Sequence, residues 1–406
     1  MSSTQNAVGN ASSFVLPAAD APPKRSIQKP FADKVLRASA GFWFVVVVIG
    51  QLIFAFATAS FYGLTAAHGE TQRWSRVLTH GVVPGDPMGN TVLVVHLISA
   101  VFIILSGSIQ LVPQVRKLAP AFHRWNGRVY VVTAFTVSLA GLYLMWVRGT
   151  VGGLAAHIGQ SLDAVLIMIC AVLALRYAMA RDFRTHRRWA LRLYLVVSAS
   201  LFIRAAGIAV AIPTSNLFSI FTLLSFAQYL VPLAVLELYL RAQDRGGARA
   251  RIAMAVVLFV LTLGLGAGIA VATGTLFQPR IKAAFDTRTS IGDVLATTIA
   301  SSGIDAAERQ YYSLRAAPPA NYNFEEAELN GLGYQLIGAK KIDEAIRVFQ
   351  LNTEAYPKSG NVWDSLAEGY MDGGNKPLAI AYYHKSLAIN PKNANAVVML
   401  KKMGAQ

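Results

Sequence analysis

Two histidines, one aspartate and one arginine lie inside long apolar stretches of this chain, where ionisable side chains are costly. They are His96, His157, Asp163 and Arg204. A buried arginine stays charged and needs an anionic partner, such as Asp163, a haem propionate, a quinone oxygen or a substrate carboxylate. A histidine from each of two helices can hold haem iron. These four residues form the candidate cofactor-binding set, with haem b as one candidate and His96 and His157 as its ligands.

A purely structural interpretation of the same residues stays open. An ion pair between Asp163 and Arg204, hydrogen-bonded to His96 or His157, would hold the helices together without binding a ligand. The single cysteine, Cys170, cannot form a disulfide within the chain or a thiolate cluster. It is interpreted as a small core residue.

A second pair of histidines lies at the opposite level of the apolar stretches. His123 opens the segment HRWNGR and His186 opens HRRWALR, and these segments carry Arg124, Arg128 and Arg188. Both histidines lie at the level of lipid headgroups, whereas a haem ligand is usually buried more deeply. Anchoring at the interface, with arginines facing anionic lipid, explains these residues without a cofactor.

Seven apolar stretches must position these side chains. They cover residues 41–66, 91–113, 127–147, 152–180, 189–211, 216–240 and 252–277. A helix of roughly 20 apolar residues spans a bilayer. Hydrophobic residues make up 54% of the chain and charged residues 14%, which excludes a disordered or an ordinary soluble protein. The sequence predicts an all-α fold, in which a polytopic membrane helix bundle of about seven spans contacts the lipid bilayer and an α-helical repeat domain follows.

The net charge of +16 is concentrated in the loops between these stretches. Residues 1–274 contain 23 Lys and Arg against 8 Asp and Glu, whereas residues 275–406 contain 14 against 13. Alternate loops carry most of this excess, so the positive-inside rule explains it and no nucleic-acid partner is expected. The bias predicts a bacterial inner-membrane protein with a cytoplasmic N-terminus and a periplasmic C-terminal domain.

Changes in composition divide the chain into four parts. Residues 1–38 are predicted to be a disordered cytoplasmic tail, because they are rich in Ala, Ser and Pro and lack periodicity. Residues 39–277 form the seven-helix membrane domain. Residues 278–320 are interpreted as a linker with one or two short amphipathic helices, and residues 321–406 as the repeat domain.

A period of 34 residues marks the last part. The aligned pairs are Leu332–Leu366, Gly333–Ala367, Ala345–Ala379, Phe349–Tyr383 and Pro357–Pro391, and the second copy adds Trp363 and Tyr370. This pattern resembles the tetratricopeptide repeat, which implies a protein partner and an interaction face with Leu332, Trp363 and Tyr370. The periplasmic location that the charge bias predicts would make that partner an exported protein. Because about three repeats are usually needed for stability, the pair is expected to lean on the preceding helices, on the membrane domain or on a second copy in a homo-oligomer.

Residues 90–210 resemble a bacterial family of predicted multi-pass membrane proteins catalogued as a domain of unknown function. The segments that carry the resemblance are HRWNGRVYVV at 123–132, GLYL at 141–144, DFRTHRRWALRLY at 182–194 and LFIR at 201–204. The resemblance implies the architecture and no particular activity. It places His123, Arg128, His186 and Arg204 in a family pattern.

The sequence favours a membrane module that binds haem or a small ligand in electron transfer, with repeats that recruit a partner. Two alternatives stay open, a non-catalytic scaffold or assembly factor that acts through its repeats, and a small transporter. The sequence contains no phosphate-binding loop, dinucleotide fingerprint or nucleophile elbow, so a binding protein is expected rather than an enzyme. An odd number of spans and the lack of an inverted repeat count against the transporter.

Overall fold

The computed structural model describes residues 28–78, 81–83, 85–149, 153–211, 217–318 and 320–405. Within these ranges the first ten helices are α1 (Gln28–Ala67), α2 (Pro87–Gln110), α3 (Pro113–Leu118), α4 (Pro120–Tyr143), α5 (Gly153–Met179), α6 (Phe183–Val197), α7 (Ala199–Ala211), α8 (Leu217–Arg245), α9 (Ala248–Ala272) and α10 (Gln278–Phe285). Short turns of 3-10 or π geometry cover Thr71–Arg76, Leu144–Arg148 and Thr273–Phe277.

The remaining helices are α11 (Ile291–Ser302), α12 (Ile304–Ala316), α13 (Glu326–Gly338), α14 (Ile342–Ala355), α15 (Gly360–Asp372), α16 (Lys376–Ile389) and α17 (Ala394–Met403). Two short strands, β1 (Thr289–Ser290) and β2 (Tyr322–Asn323), pair in parallel. The prediction of an all-α fold with a polytopic membrane bundle is confirmed.

Six helices in the described ranges are long and apolar enough to cross a membrane, and one bent pair raises the number of spans to as many as seven. The bent pair is α6 and α7, which meet at an angle of 46°. Ser198 lies at the bend, fully buried, and its hydroxyl donates to the Tyr194 carbonyl at 2.7 Å. Such a back-bond to the preceding turn bends helices. The single span expected at 189–211 is therefore divided into two helices.

The first helix begins earlier than the sequence predicted. Residues 28–38 belong to α1, and Leu36 is buried in a cluster with Leu258 of α9. Apolar packing against a neighbouring helix stabilises this extension. The prediction of a disordered tail at 1–38 is therefore wrong for residues 28–38, which are helical. Residues 1–27 lie outside the described part of the chain.

The order in which the membrane helices pack decides which side chains can meet. Helix α1 packs against α2, α9 and α10, and α2 packs against α4. Helix α5 packs mainly against α4, α6 and α8, whereas α7 packs mainly against α8 and α9. Helix α4 thus lies between α2 and α5.

The C-terminal helices share one continuous core. Leu295 of α11 and Tyr311 of α12 are buried in the same cluster as Leu332 of α13 and Phe349 of α14. Helices α11 and α12 therefore form a first hairpin that the sequence assigned to a linker. It precedes the hairpins α13–α14 and α15–α16, and α17 closes the stack. Three hairpins reach the number that stacked helical units need for stability. We call α11–α17 the helical array.

Candidate functional site

Arg204 lies on α7 beyond the bend and has an aromatic neighbour. Its guanidinium carbon stands 4.6 Å from the centre of the Phe54 ring of α1, within the range of a cation–π contact. One guanidinium nitrogen, Nη1, donates to the Ser200 carbonyl at 2.6 Å. These two contacts hold the side chain in place without neutralising its charge.

Three further side chains converge on Arg204 from three helices. Tyr62 of α1, His96 of α2 and Arg280 of α10 are each close enough to interact with it electrostatically. In the part of the chain that the structure describes, no carboxylate forms an ion pair with Arg204 or Arg280. We call Tyr62, His96, Arg204 and Arg280 the arginine site.

Helix α4 orients His96 within this site. The Nδ1 atom of His96 lies 3.1 Å from the Val137 carbonyl oxygen, and a carbonyl can only accept, so Nδ1 carries the proton. In the neutral ring Nε2 is then the acceptor. Gly141 makes room for the imidazole, because a Cβ atom at that position would lie 3.2 Å from Cε1.

The structure places His157 and Asp163 on α5, away from the arginine site. The His157 ring contacts Trp146 edge-on at 5.6 Å between centroids. Asp163 is near Tyr229 of α8, and its Oδ1 has no hydrogen-bond partner within the described ranges. Because α5 and α7 pack mainly against different helices, Asp163 and Arg204 do not form the ion pair that the sequence allowed.

Haem does not fit between His96 and His157. Two axial ligands approach the iron from opposite faces of one flat ring, so their helices must face each other across a gap. Helix α4 occupies the space between α2 and α5 instead. The predicted set His96, His157, Asp163 and Arg204 is thus divided between two places.

The second pair of histidines, His123 and His186, lie close to each other. Nδ1 of His186 donates to the Ala174 carbonyl at 2.8 Å, and His123 is near enough to interact with His186 electrostatically. The Nδ1 atom of His123 is buried and has no hydrogen-bond partner among the described residues. These contacts join α4, α5 and α6 at one end of the bundle.

Sequence reasoning missed Asn126 of α4, whose side chain joins that helix to α2. Its side chain accepts from the Ser106 hydroxyl at 2.8 Å and donates to Gln110 Oε1 at 2.8 Å. Gln110 donates in turn to the His123 carbonyl at 3.1 Å. The signal was the asparagine within HRWNGR, one helical turn after His123, where an amide has no reason to face lipid.

The motif arginines have different environments. Arg124 and Arg128 are exposed, whereas Arg188 forms an ion pair with Asp244 of α8. Arg188, Asp244 and Arg184 line a cleft of about 470 Å³ at this end of the bundle. This placement agrees with an anchoring role at the headgroup level.

The residues expected on a repeat interaction face lie mostly in the core. Leu332 is 1% exposed and Trp363 is 9% exposed, and the Trp363 indole donates to the Pro357 carbonyl at 3.0 Å. Tyr370 is half-buried and stacks on Tyr382 with 5.4 Å between centroids. This corrects the expected interaction face for Leu332 and Trp363, because their side chains stabilise the hairpins, whereas Tyr370 keeps part of its surface exposed.

Arg73 joins the membrane domain to the helical array. It follows α1, its side chain is 7% exposed, and it forms an ion pair with Asp293 of α11 at 3.4 Å. It also donates to the carbonyls of Ala283 at 3.1 Å and Arg288 at 3.3 Å, and it pairs with Glu70 at 3.1 Å. We call this set of bonds the Arg73 contact.

These features define an integral membrane protein with several membrane-spanning helices. Residues 93–240, from α2 to α8, match the model of a family described as "Predicted membrane protein (DUF2306)". The match supports an uncharacterised membrane family for this segment. No curated protein and no solved structure matches the chain.

Proposed function

We propose that this protein binds an anionic ligand at the arginine site of its membrane domain. The observation that carries the proposal is the proximity of Arg204 and Arg280, two cations that lack a carboxylate partner among the described residues. Like charges repel, and a charge removed from water costs several kcal/mol unless it is paired. An anion bound between the two guanidinium groups would offset both costs.

The surroundings favour a carboxylate or a phosphate attached to an apolar body. A guanidinium group matches either oxyanion with two parallel hydrogen bonds. Tyr62 adds a hydroxyl donor. Phe54 lies against Arg204 and stacks on Phe277 with 5.5 Å between centroids, which provides an apolar wall. The ligand's source is either the bilayer, as an acidic lipid, or the solution, as a small carboxylate or phosphate.

Thermal unfolding of the full-length protein in nanodiscs of zwitterionic lipid tests this function. Oleate, phosphatidic acid, succinate and inorganic phosphate are titrated separately. Stabilisation by the amphiphiles alone identifies a lipid source, and stabilisation by succinate or phosphate identifies a soluble one.

Removing either guanidinium should weaken binding by at least about tenfold, because a hydrogen bond to a charged group contributes about 1.5–3 kcal/mol. The variants are Arg204→Gln and Arg280→Gln. Arg128→Gln removes an exposed arginine at the other end of the bundle and serves as the matched control. Binding that stays at the level of the parent in both site variants would refute the proposal.

The Arg73 contact favours a second function, in which the membrane domain holds the helical array in a fixed position for another protein. We infer an exported partner, because the charge bias of the loops predicts a periplasmic array in a bacterial inner membrane. A cysteine at the exposed Val397, in a Cys170→Ala background, tests that location. Reaction with a membrane-impermeant maleimide in intact cells supports it, and reaction only after lysis contradicts it.

A further inference from the structure

One surface of the helical array is acidic although the chain as a whole is basic. The sequences of α13 and α15 contain no lysine or arginine. Tyr334 of α13 donates to Glu368 of α15, and Asn361 of α15 donates to Glu326 of α13 at 2.8 Å. These bonds show that the two helices share one surface. We call Glu326, Glu368 and Asp372, together with the buried Asp364 beneath them, the acidic face.

The charge of this face is not compensated within the described residues. None of its four carboxylates forms an ion pair there. Burial raises the pKa of Asp364 and of Glu368, and the neighbouring Asp364 and Asp372 carboxylates add to the shift of Glu368. The side-chain amides of Asn393 and Asn395 donate to Asp364 at 2.8 Å each. These neutral donors orient the carboxylate and do not neutralise its charge.

A buried donor without an acceptor lies under the same face. Tyr383 of α16 is 0% exposed, and its hydroxyl has no hydrogen-bond partner in the described part of the chain. The hydroxyl interacts electrostatically with Glu368 and Asp364, which places it beneath the acidic face. An unpaired buried hydroxyl is costly. A ligand that shifts Glu368 or Asp364 to within hydrogen-bond distance of the hydroxyl would remove that cost.

We propose that the acidic face docks a polypeptide segment rich in lysine and arginine. Ammonium and guanidinium groups would pair with Glu326, Glu368 and Asp372, and charge complementarity would set the specificity. The same negative charge repels anionic lipid headgroups and nucleic acids. The proposal rests on the second function above, the presentation of the array, and it is independent of the arginine site.

Fluorescence anisotropy with the full-length protein in zwitterionic nanodiscs tests the docking surface. The probe is a labelled ten-residue peptide of alternating arginine and serine, and a glutamate–serine peptide is its counterpart. We expect the arginine peptide to bind, to weaken as salt rises, and to lose about tenfold in affinity in Glu368→Gln/Asp372→Asn. The matched control, Asp343→Asn/Glu344→Gln, removes two charges from α14 and should change affinity less than about twofold.

Each outcome decides the proposal. Failure of the arginine peptide to bind, or equal losses in the two double variants, overturns it, because the second result would show attraction to overall charge only. In Arg204→Gln the peptide should bind as in the parent, so a failed anion site and a failed acidic face are distinguished.

Discussion

Replacing Arg73 by alanine should release the helical array from the membrane domain without unfolding either part. The side chain is 7% exposed and bonds both an aspartate of α11 and backbone carbonyls on the segment that leads into the array. These groups lie at positions 283–293, more than 200 residues further along the chain.

The free-energy cost of Arg73→Ala depends on how deeply its ion-pair partners are buried. Removing one member of a buried ion pair costs about 3–5 kcal/mol. The Asp293 side chain is 32% exposed and that of Glu70 is 28% exposed, so solvent screens part of the interaction. We therefore expect the lower limit, about 3 kcal/mol. At 1.36 kcal/mol per factor of ten, the equilibrium between docked and undocked arrays shifts by about 150-fold.

Hydrogen exchange of the full-length protein measures this shift directly. In Arg73→Ala, amides of residues 283–293 should lose protection by up to about 150-fold, whereas amides of α13–α16 keep theirs. Arg309→Ala, which removes an exposed arginine of α12, is the control and should leave both segments unchanged. Full protection of residues 283–293 in Arg73→Ala would refute the reasoning. Equal loss across the array would mean that the array unfolds and does not undock.

Three other perturbations test the packing and the charges. Burial raises the pKa of Glu368 above its value in the unfolded chain, so between the two pKa values the folded array keeps a proton that the unfolded chain has lost. Its stability should therefore fall as the pH rises from about 4.3, the ordinary glutamate value, through the folded value, and Glu368→Gln should flatten the fall in melts at a series of pH values. Gly333→Ala places a Cβ atom against the buried Phe349 ring and should cost about 1–3 kcal/mol in denaturant unfolding, whereas Gly338→Ala, which meets nothing within 4 Å, should not destabilise. Asn126→Leu removes the hydrogen bonds to Ser106 and Gln110, each worth about 0.6 kcal/mol between membrane helices. The melting temperature in detergent should therefore fall. An unchanged melting temperature would show that these hydrogen bonds do not stabilise the bundle.

The spans and the repeated hairpins were predictable because each depends on local pattern. Apolar stretches of membrane length became helices, and the aligned pair Leu332 and Leu366 is buried at equivalent positions, each 1% exposed. The tetratricopeptide assignment itself stays a prediction. The first hairpin of the array, α11–α12, lacks the 34-residue pattern, so its shared core with Phe349 could not be recognised from the sequence.

The candidate site was only partly predictable. The depth of Arg204 and His96 followed from hydropathy, but their neighbours Tyr62 and Arg280 come from other helices and carry no motif. The grouping of His157 and Asp163 with Arg204 was an inference from their position in the same half of the apolar stretches. Depth alone does not determine which helices are adjacent, and α4 lies between the two groups.

The sequence by itself determined that this chain crosses a membrane as helices, since lipid offers no partner for backbone amides and carbonyls. It also determined the presence of ionisable groups at membrane depth. The tertiary structure decided their partners: it set Arg204 beside Arg280, left Asp163 near Tyr229, and buried Trp363 in the array. The physical reason is that hydropathy depends on a residue's own side chain, whereas an ion pair or a binding site depends on the rotation and order of helices that pack far apart in sequence.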